Sequence, residues 1–447
     1  MGWQNVILLV SSYFFYCCWD WRFAFLIAFT SASSYFSAQF IEKAKVERRR
    51  LWLAINLIVN LCILGFFKYT GFFVDSFRAL MSLFGLSIEG PALQIILPVG
   101  ISFYTFQALG YTIDVYRGKL PASRNILQFF TFIAFFPQLV AGPIERASRL
   151  LPQFERPRIF NYNQAVEGVM LIVKGLILKI VIADRLAVFV DGVYKDPSAA
   201  SGLSVMLAIL FFAFQLYADF YSYSEIARGS AKLLGVDLML NFRRPYLSPS
   251  FKEFWKRWHI SLSSWFTDYV YIPLGGNRKG NKRRVLNVFA VFLLSGLWHG
   301  ASWTFVAWGF CCALFMVALD KPLSRTARVP LLNPLLVFVL WSLSLVLFRS
   351  QHFSDAAQLF SSLGFGEVQQ LLTYGLGKAE LITSGVLLML LVIQEWISER
   401  YDEALQKAYL RAPIYVRMLL MLVALLILVF LGRYGIGSES KFIYFQF

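Results

Sequence analysis

Long apolar stretches follow one another along the chain, separated by short polar segments. A helix that crosses the hydrocarbon core of a membrane needs about 20 mostly apolar residues. Twelve stretches approach this length, namely 3–19, 23–40, 51–67, 93–113, 125–142, 164–183, 203–221, 285–299, 301–319, 331–348, 381–397 and 414–431. Because backbone polar groups inside a bilayer must be satisfied internally, these stretches are expected to be helices. Several are short or contain Gly and Pro, so the pattern predicts an all-α integral membrane protein with about 10–12 transmembrane helices.

Lysine and arginine are concentrated in the polar segments, and cytoplasmic loops carry an excess of both residues. Four basic segments are therefore expected to face the cytoplasm. They are residues 42–50, 117–124, 243–257 and 278–284. The last two flank the apolar, aromatic segment 258–274, which is expected to enter and leave the membrane on one side. Residues 135–154 have the same character, and two re-entrant segments predict a funnel open to the cytoplasm, since irregular backbone at membrane depth is tolerated around a cavity.

The composition agrees with this pattern, because 58% of the 447 residues are hydrophobic and only 15% are charged. Soluble domains carry roughly 25% charged residues. We therefore predict a single polytopic membrane domain over residues 1–447, with the first apolar stretch retained as a helix and not removed as a signal peptide. The basic residues that give the net charge of +16 lie in short loops, where retention of Lys and Arg on the cytoplasmic side accounts for them. Nucleic acid is therefore not an expected partner. The five cysteines lie in apolar stretches without metal or CxxC spacing, which predicts neither a disulfide nor a zinc site.

The chain has three histidines, His259, His299 and His352, and histidine is the residue best suited to proton transfer near neutral pH. His299 follows 14 residues of an apolar run that begins at Val285, which places it about 21 Å into the membrane. Ionisable groups at such depth are costly and are functional by default; the alternative is a core histidine satisfied by one hydrogen bond. Gly296 and Gly300 would allow close approach of a substrate or a break between two helices.

The other candidates are less distinctive. His259 lies on the predicted re-entrant segment, where it could also be an interfacial residue beside basic and aromatic anchors. His352 lies in a polar loop and is expected to be solvated. The tyrosine-rich stretch 215–228 contains Asp219 and Tyr221, which could hydrogen-bond a substrate or belong to an aromatic membrane belt. Neither His259 nor His299 has further ligands at metal-binding spacing, so no metal is expected.

Two motifs carry a family resemblance. Residues 241–276 read NFRRPYLSPSFKEFWKRWHISLSSWFTDYVYIPLGG and residues 295–309 read SGLWHGASWTFVAWG. Together they closely resemble the membrane-bound O-acyltransferase superfamily. Four further stretches, IPLGGNRKG, LPVGISFYTFQALGYTIDVYRG, VAGPIER and the terminal FIYFQF, are similar to its alginate O-acetyltransferase branch. The likeness extends from about residue 40 to the C-terminus, with the family core at about residues 97–320.

The resemblance implies a helical bundle of the family's type with a central tunnel, His299 as the catalytic histidine and His259 as a second residue near the tunnel. Members of this branch move an acetyl group from cytoplasmic acetyl-CoA towards an extracytoplasmic polysaccharide such as alginate. They act with a periplasmic SGNH-type or related acyltransferase and reside in the bacterial inner membrane among lipid. One departure is Phe310-Cys311-Cys312, where many relatives carry a second His-Gly pair.

Two mechanisms are open at this stage. His299 could take the proton of the acceptor hydroxyl as a general base, since burial favours the neutral imidazole, or it could carry the acyl group as a nucleophile. The positive residues beside His259 could attract the phosphates of coenzyme A or could serve only to set topology. They are Arg243, Arg244, Lys256 and Arg257.

Three other functions compete with polysaccharide acetylation. Within the superfamily the alternative is a teichoic acid D-alanyltransferase, which is fed by a carrier protein. Outside it, the alternative is a transporter with a histidine in its path, although no paired inverted repeat is visible. The third is a scaffold that holds a partner acyltransferase in place.

Overall fold

The structure is a computed structural model that describes residues 2–87, 95–319, 332–434 and Phe442. These residues form α-helices, a few short π- and 3₁₀-helices and the segments that connect them, which confirms the all-α prediction. In chain order the helices are α1 (Gly2–Asp20), α2 (Arg22–Lys43), α3 (Val46–Leu83), α4 (Ile101–Tyr116), α5 (Ile126–Ala134), α6 (Phe136–Leu139), α7 (Ala147–Phe154), α8 (Tyr162–Leu176), α9 (Asp184–Lys195), α10 (Gly202–Leu233), α11 (Phe251–Arg257), α12 (Ile260–Phe266), α13 (Gly280–His299), α14 (Trp303–Ala318), α15 (Leu332–Arg349), α16 (Phe353–Ser361), α17 (Lys378–Arg411) and α18 (Ile414–Leu431).

Six helices in the described part of the chain are long and apolar enough to cross a membrane. They are α2, α3, α10, α15, α17 and α18. Their burial differs: 72% of the apolar window of α10 lies inside the protein, but only 6% of the window of α18 does. Apolar side chains left outside a protein need an apolar solvent, so α18 presents its surface to lipid. The chain is a multi-pass membrane protein.

The chain divides into two compact units. The first consists of residues 1–161, 230–239 and 264–273, and the second of residues 162–229, 240–263 and 274–447. In the first unit, the indole Nε1 of Trp265 donates to the carbonyl oxygen of Phe106 (2.9 Å) and the hydroxyl of Tyr269 donates to Asp114 (2.6 Å). The single domain predicted for residues 1–447 stays a prediction.

Two glycines bring α13 and α14 of the second unit into backbone contact. A Cβ at Gly296 would overlap the carbonyl oxygen of Phe305, and a Cβ at Gly309 would overlap that of Phe292. Small residues at helix interfaces allow this approach in membrane proteins. Gly300 follows the last residue of α13 and has an extended conformation. The chain therefore breaks between two helices after His299, which is one of the two roles expected for these glycines. The close contact of the two helices thus fixes the position of His299 at the C-terminal end of α13.

The segment 258–274 contains too little helix to cross a membrane. Its helical part is α12 followed by the π-helix Thr267–Tyr271. Twelve residues at about 1.5 Å each give about 18 Å, whereas the hydrocarbon core is about 30 Å thick. Residues 135–154 are likewise broken, into the short helices α6 and α7. Both lengths agree with re-entrant segments, and the side of the membrane that they face stays a prediction.

Candidate active site

The structure brings His259 and His299 together inside the second unit. Their ring centroids are 6.3 Å apart with 59° between the ring planes. His259 is 1% exposed and His299 is 8% exposed. These two residues are 40 positions apart in the sequence, with His259 between α11 and α12 and His299 at the end of α13, so the fold has assembled a buried pair of imidazoles.

Aromatic side chains surround His299. Its ring lies 5.0 Å from the ring of Trp298, 5.2 Å from that of Trp308 and 5.4 Å from that of Phe348, between centroids. These residues come from α13, α14 and α15, so three helices enclose the imidazole. The indole Nε1 of Trp308 is buried and finds no hydrogen-bond partner among the described residues. A buried donor of this kind is available to an oxygen that enters the site.

His259 is held by its own backbone and by a cluster of polar groups. It has a φ of 43°, a left-handed conformation that is uncommon outside glycine. Its Nδ1 lies 3.1 Å from Oδ1 of Asn241 and 3.5 Å from the hydroxyl of Ser261. His259 lies outside the six candidate spans. Its burial, and to a smaller extent the neighbouring His299, hold the pKa of the His259 imidazole well below its usual value. Its imidazole is therefore neutral near pH 7.

Two of the predicted phosphate-binding arginines are engaged with acidic residues. Arg244 pairs with Glu399 (3.5 Å) and Asp402 (2.7 Å). Arg257 pairs with Glu253 (3.0 Å) and with the same Glu399 (2.7 Å). Both acidic partners Glu399 and Asp402 belong to α17, so these arginines tie α17 to the segment that precedes His259.

The other two predicted basic residues are more accessible. Arg243 is exposed, its guanidinium makes no ion pair in the described chain, and its backbone N–H donates to the carbonyl of Arg257 (2.9 Å). Lys256 is exposed and lies 3.6 Å from Glu253, a surface pair of small energetic value. A binding role for all four basic residues stays a prediction.

The remaining polar candidates contact lysines. Asp219 on α10 pairs with Lys179 at 2.6 Å. The hydroxyl of Tyr221 accepts from Lys174 at 2.5 Å, and the ammonium also lies 4.4 Å from the centre of the tyrosine ring. A substrate-binding role for Asp219 and Tyr221 stays a prediction. His352 is exposed at the start of α16, as expected.

Three residues of the site were not singled out from the sequence: Asn241, Ser261 and Trp308. Asn241 and Ser261 both lie within the motif of residues 241–276, but a lone asparagine or serine there also fits a turn. Trp308 is one of 12 tryptophans, and nothing in the local pattern separates it from membrane anchors. Their significance depends on which side chains the fold brings next to the histidines.

Comparison with known proteins agrees with the motifs. The model of the membrane-bound O-acyltransferase family matches residues 120–342. The "Probable alginate O-acetylase AlgI" of Pseudomonas aeruginosa is 39% identical over 82% of this chain and 71% of its own length. The "Peptidoglycan O-acetyltransferase" of Helicobacter pylori is 33% identical over 80% of this chain and 73% of its own. The "Teichoic acid D-alanyltransferase" of Streptococcus thermophilus is 29% identical over 58% of this chain and 66% of its own.

Proposed function

The chain belongs to the membrane-bound O-acyltransferase family, and on this premise we propose that it passes an acetyl group from cytoplasmic acetyl-CoA towards the hydroxyls of an extracytoplasmic polysaccharide. The observation that supports the proposal most strongly is the buried pair of histidines. Acyl transfer to a hydroxyl needs a group that removes the hydroxyl proton, and His299 and His259 are two neighbouring groups of that kind.

In the simplest step His299 acts as the general base. The acceptor hydroxyl gives its proton to the imidazole while its oxygen bonds to the thioester carbonyl carbon, forming a tetrahedral intermediate. The carbon–sulfur bond then breaks, the ester remains on the acceptor, and the imidazolium returns the proton to the thiolate of coenzyme A. The ring of Trp308 packs against His299 and its buried Nε1–H has no partner in the described chain, so we assign to it the role of donor to the negative oxygen of the intermediate.

The same residues fit a step in which His299 carries the acyl group. An imidazole nitrogen would bond to the carbonyl carbon, the carbon–sulfur bond would break, and the thiolate of coenzyme A would take the proton that the acylated ring gives up. The acceptor hydroxyl would then displace the imidazole, with His259 taking the hydroxyl proton and passing it to the departing ring. Acyl-enzyme that accumulates when donor is mixed with enzyme in the absence of acceptor would distinguish this route from the first.

The names of two relatives bear on the acceptor. Both the alginate O-acetylase and the peptidoglycan O-acetyltransferase are named for modification of glycan polymers, and both align with about four fifths of this chain. We therefore propose a polysaccharide such as alginate as the final acceptor. Since such polymers lie outside the cytoplasm, we also propose location in the bacterial inner membrane and a periplasmic SGNH-type or related acyltransferase that completes the transfer.

A teichoic acid D-alanyltransferase is the second candidate, because one relative bears that name. Its match covers 58% of this chain at 29% identity, less than the acetylases on both measures. Purified enzyme offered acetyl-CoA or D-alanyl carrier protein would decide between the two donors. Transfer of labelled acetyl from acetyl-CoA in proteoliposomes would also contradict a transporter, which leaves the thioester intact.

We expect His299→Ala to abolish acetylation of the polymer while the protein still inserts and accumulates, because in both routes the imidazole of His299 takes part directly in the acyl transfer. The measurement is polymer acetyl content in a deletion strain complemented with the variant, with membrane protein levels determined by immunoblot. His352→Ala is the matched control, since His352 is exposed in a loop, and should give the wild-type acetyl content. Acetylation near the wild-type level in His299→Ala would contradict the assignment and would point to a scaffold.

A further inference from the structure

A buried asparagine, Asn241, is the centre of the hydrogen bonds around His259. Its side chain is 0% exposed. Its Oδ1 faces the backbone N–H of Ser261 (3.3 Å), the hydroxyl of Ser261 (2.9 Å) and Nδ1 of His259 (3.1 Å). Its Nδ2 donates to the hydroxyl of Ser224 on α10 (3.2 Å). One amide therefore contacts four polar groups of its surroundings.

The orientation of this amide follows from its neighbours. The oxygen and nitrogen of an asparagine are assigned from the hydrogen-bond network. The backbone N–H of Ser261 can only donate, so the amide atom that faces it must be the oxygen. The other end faces the hydroxyl of Ser224, which can accept from an NH₂ group. Both ends require the same orientation, and Oδ1 is an acceptor for all three groups around it.

The proton position on His259 follows in turn. An acceptor oxygen 3.1 Å from Nδ1 requires that this ring nitrogen carry the hydrogen, and a neutral imidazole with hydrogen on Nδ1 has its lone pair on Nε2. We propose that Asn241 is a positioning residue that fixes the Nδ1–H tautomer of His259, so that Nε2 is the nitrogen of His259 that can accept a proton. This inference rests on the proposed acyl transfer for its functional meaning.

The backbone of Asn241 supports the same arrangement. Its carbonyl accepts from the backbone N–H of Ile260 (2.9 Å), immediately after the left-handed residue His259. A non-glycine residue at positive φ persists only where its surroundings over-determine it. Asn241 thus holds the main chain on one side of His259 with its carbonyl and the imidazole with its side chain.

The tautomer can be measured without an activity assay. Protein labelled with ¹⁵N in its histidine rings has three ring systems, and comparison with His259→Gln assigns the signals of His259. At a pH above neutrality, wild-type protein in nanodiscs should show His259 with its proton on Nδ1. Asn241→Asp keeps an acceptor and should keep Nδ1 protonated. Asn241→Ala removes the acceptor and should give the Nε2–H form or a mixture of the two.

The kinetic consequence is a loss in kcat and not in KM. Asn241→Ala should lower kcat for acetyl transfer at least about tenfold, the equivalent of one lost hydrogen bond, with KM for acetyl-CoA little changed. Asn287→Ala is the matched control, because Asn287 is 2% exposed and bonds to the carbonyl of Gly276 (2.9 Å) instead of a histidine. It should leave the His259 tautomer and kcat as in the wild type.

Two results would overturn the inference. A proton on Nε2 of His259 in the wild type would overturn it without any variant, even if Asn241→Ala failed to fold. Wild-type kcat in Asn241→Ala would refute the positioning role. Absence of acetyl transfer from acetyl-CoA by the wild type, with the Nδ1–H tautomer present, would instead refute the proposed function and leave the tautomer assignment standing.

Discussion

At the scale of single residues, the basic side chains near His259 separate into two groups. Arg244 and Arg257 share the carboxylate of Glu399, and their charges are largely matched. Arg243 is exposed, with no ion pair in the described chain. An anion from solvent can bind the guanidinium of Arg243 at a lower cost in free energy, because no existing ion pair has to be broken.

We therefore expect Arg243→Gln to raise KM for acetyl-CoA about fivefold, equivalent to a contact of about 1 kcal/mol, with kcat almost unchanged. Contacts to nucleotide phosphates lie far from the thioester and contribute uniform binding. Initial rates at low and higher salt provide the test, since salt screens an exposed attraction and should shrink the difference between variant and wild type.

Arg257→Gln is the comparison variant for this experiment. It leaves Glu253 and Glu399 without their shared partner and should lower the melting temperature more than it changes KM. The reverse pattern, with KM raised in Arg257→Gln and unchanged in Arg243→Gln, would mean that the donor displaces Glu399 and would contradict the preference for Arg243.

Sequence reasoning found the two histidines because histidine is scarce here and His299 lies deep in an apolar run. It did not find Asn241, because the value of a lone asparagine depends on which donors the fold brings to its carbonyl oxygen. Ser224 and Asn241 are 17 residues apart, and no period of helix or strand predicts their contact. Residue types that are rare in membranes are thus visible in sequence, whereas the partners that orient them are not.

At the scale of elements, the apolar stretches predicted helix positions well but not their internal geometry. The stretch 164–183 contains all but the first two residues of α8, yet its second part is a π-helix, Ile177–Ala183. An extra residue per turn changes which face a side chain occupies without changing the hydropathy. In that segment Lys179 contacts Asp219 (2.6 Å) and Asp184 (2.9 Å), a grouping that a regular helical projection does not give. Such π segments frequently occur at functional sites.

This grouping leads to a prediction about Asp219. Replacement of Lys179 by Met leaves two carboxylates facing each other and should destabilise the protein by about 3–5 kcal/mol, the usual cost of breaking a buried pair. The double variant Lys179→Met with Asp219→Asn should recover a large part of that loss, since one of the two charges is gone. Thermal unfolding of the detergent-solubilised variants is the measurement.

The single variant Asp219→Asn separates the two roles considered for this residue. A structural role predicts a lower melting temperature with unchanged KM for donor and acceptor. A tenfold increase in KM at an unchanged melting temperature would show instead that Asp219 binds substrate.

At the scale of the whole molecule, hydropathy predicted a membrane protein but not its division into two compact units. The reason is that the first unit takes residues 230–239 and 264–273 from the second half of the chain. Segments recruited over such sequence distances have the same composition as their neighbours. A sliding window along the chain therefore has no signal from which to detect them.

Membrane topology supplies a test at this scale. Single cysteines that replace Lys252 and Lys282, both exposed, should react with an impermeant thiol reagent from the same, cytoplasmic side. The reason is that the helical part of segment 258–274 is too short to cross the membrane. The background variant lacks the five native cysteines, and its acetyl transfer activity serves as the control for folding. Labelling of one position from outside and the other from inside would show that the segment crosses.

His299 is the last residue of α13, and this position determines the sign of the electric field that it experiences. The carbonyl groups of a helix C-terminus carry a partial negative charge equivalent to about half an electron. Such a field stabilises the positive form of a group that can be neutral or positive, such as an imidazole that accepts a proton. The same field opposes a negative oxygen at the same point, so a negative oxygen there needs side-chain hydrogen-bond donors to balance it. In the proposed acyl transfer, the end of α13 would therefore stabilise the imidazolium and would leave the negative oxygen to other groups of the site.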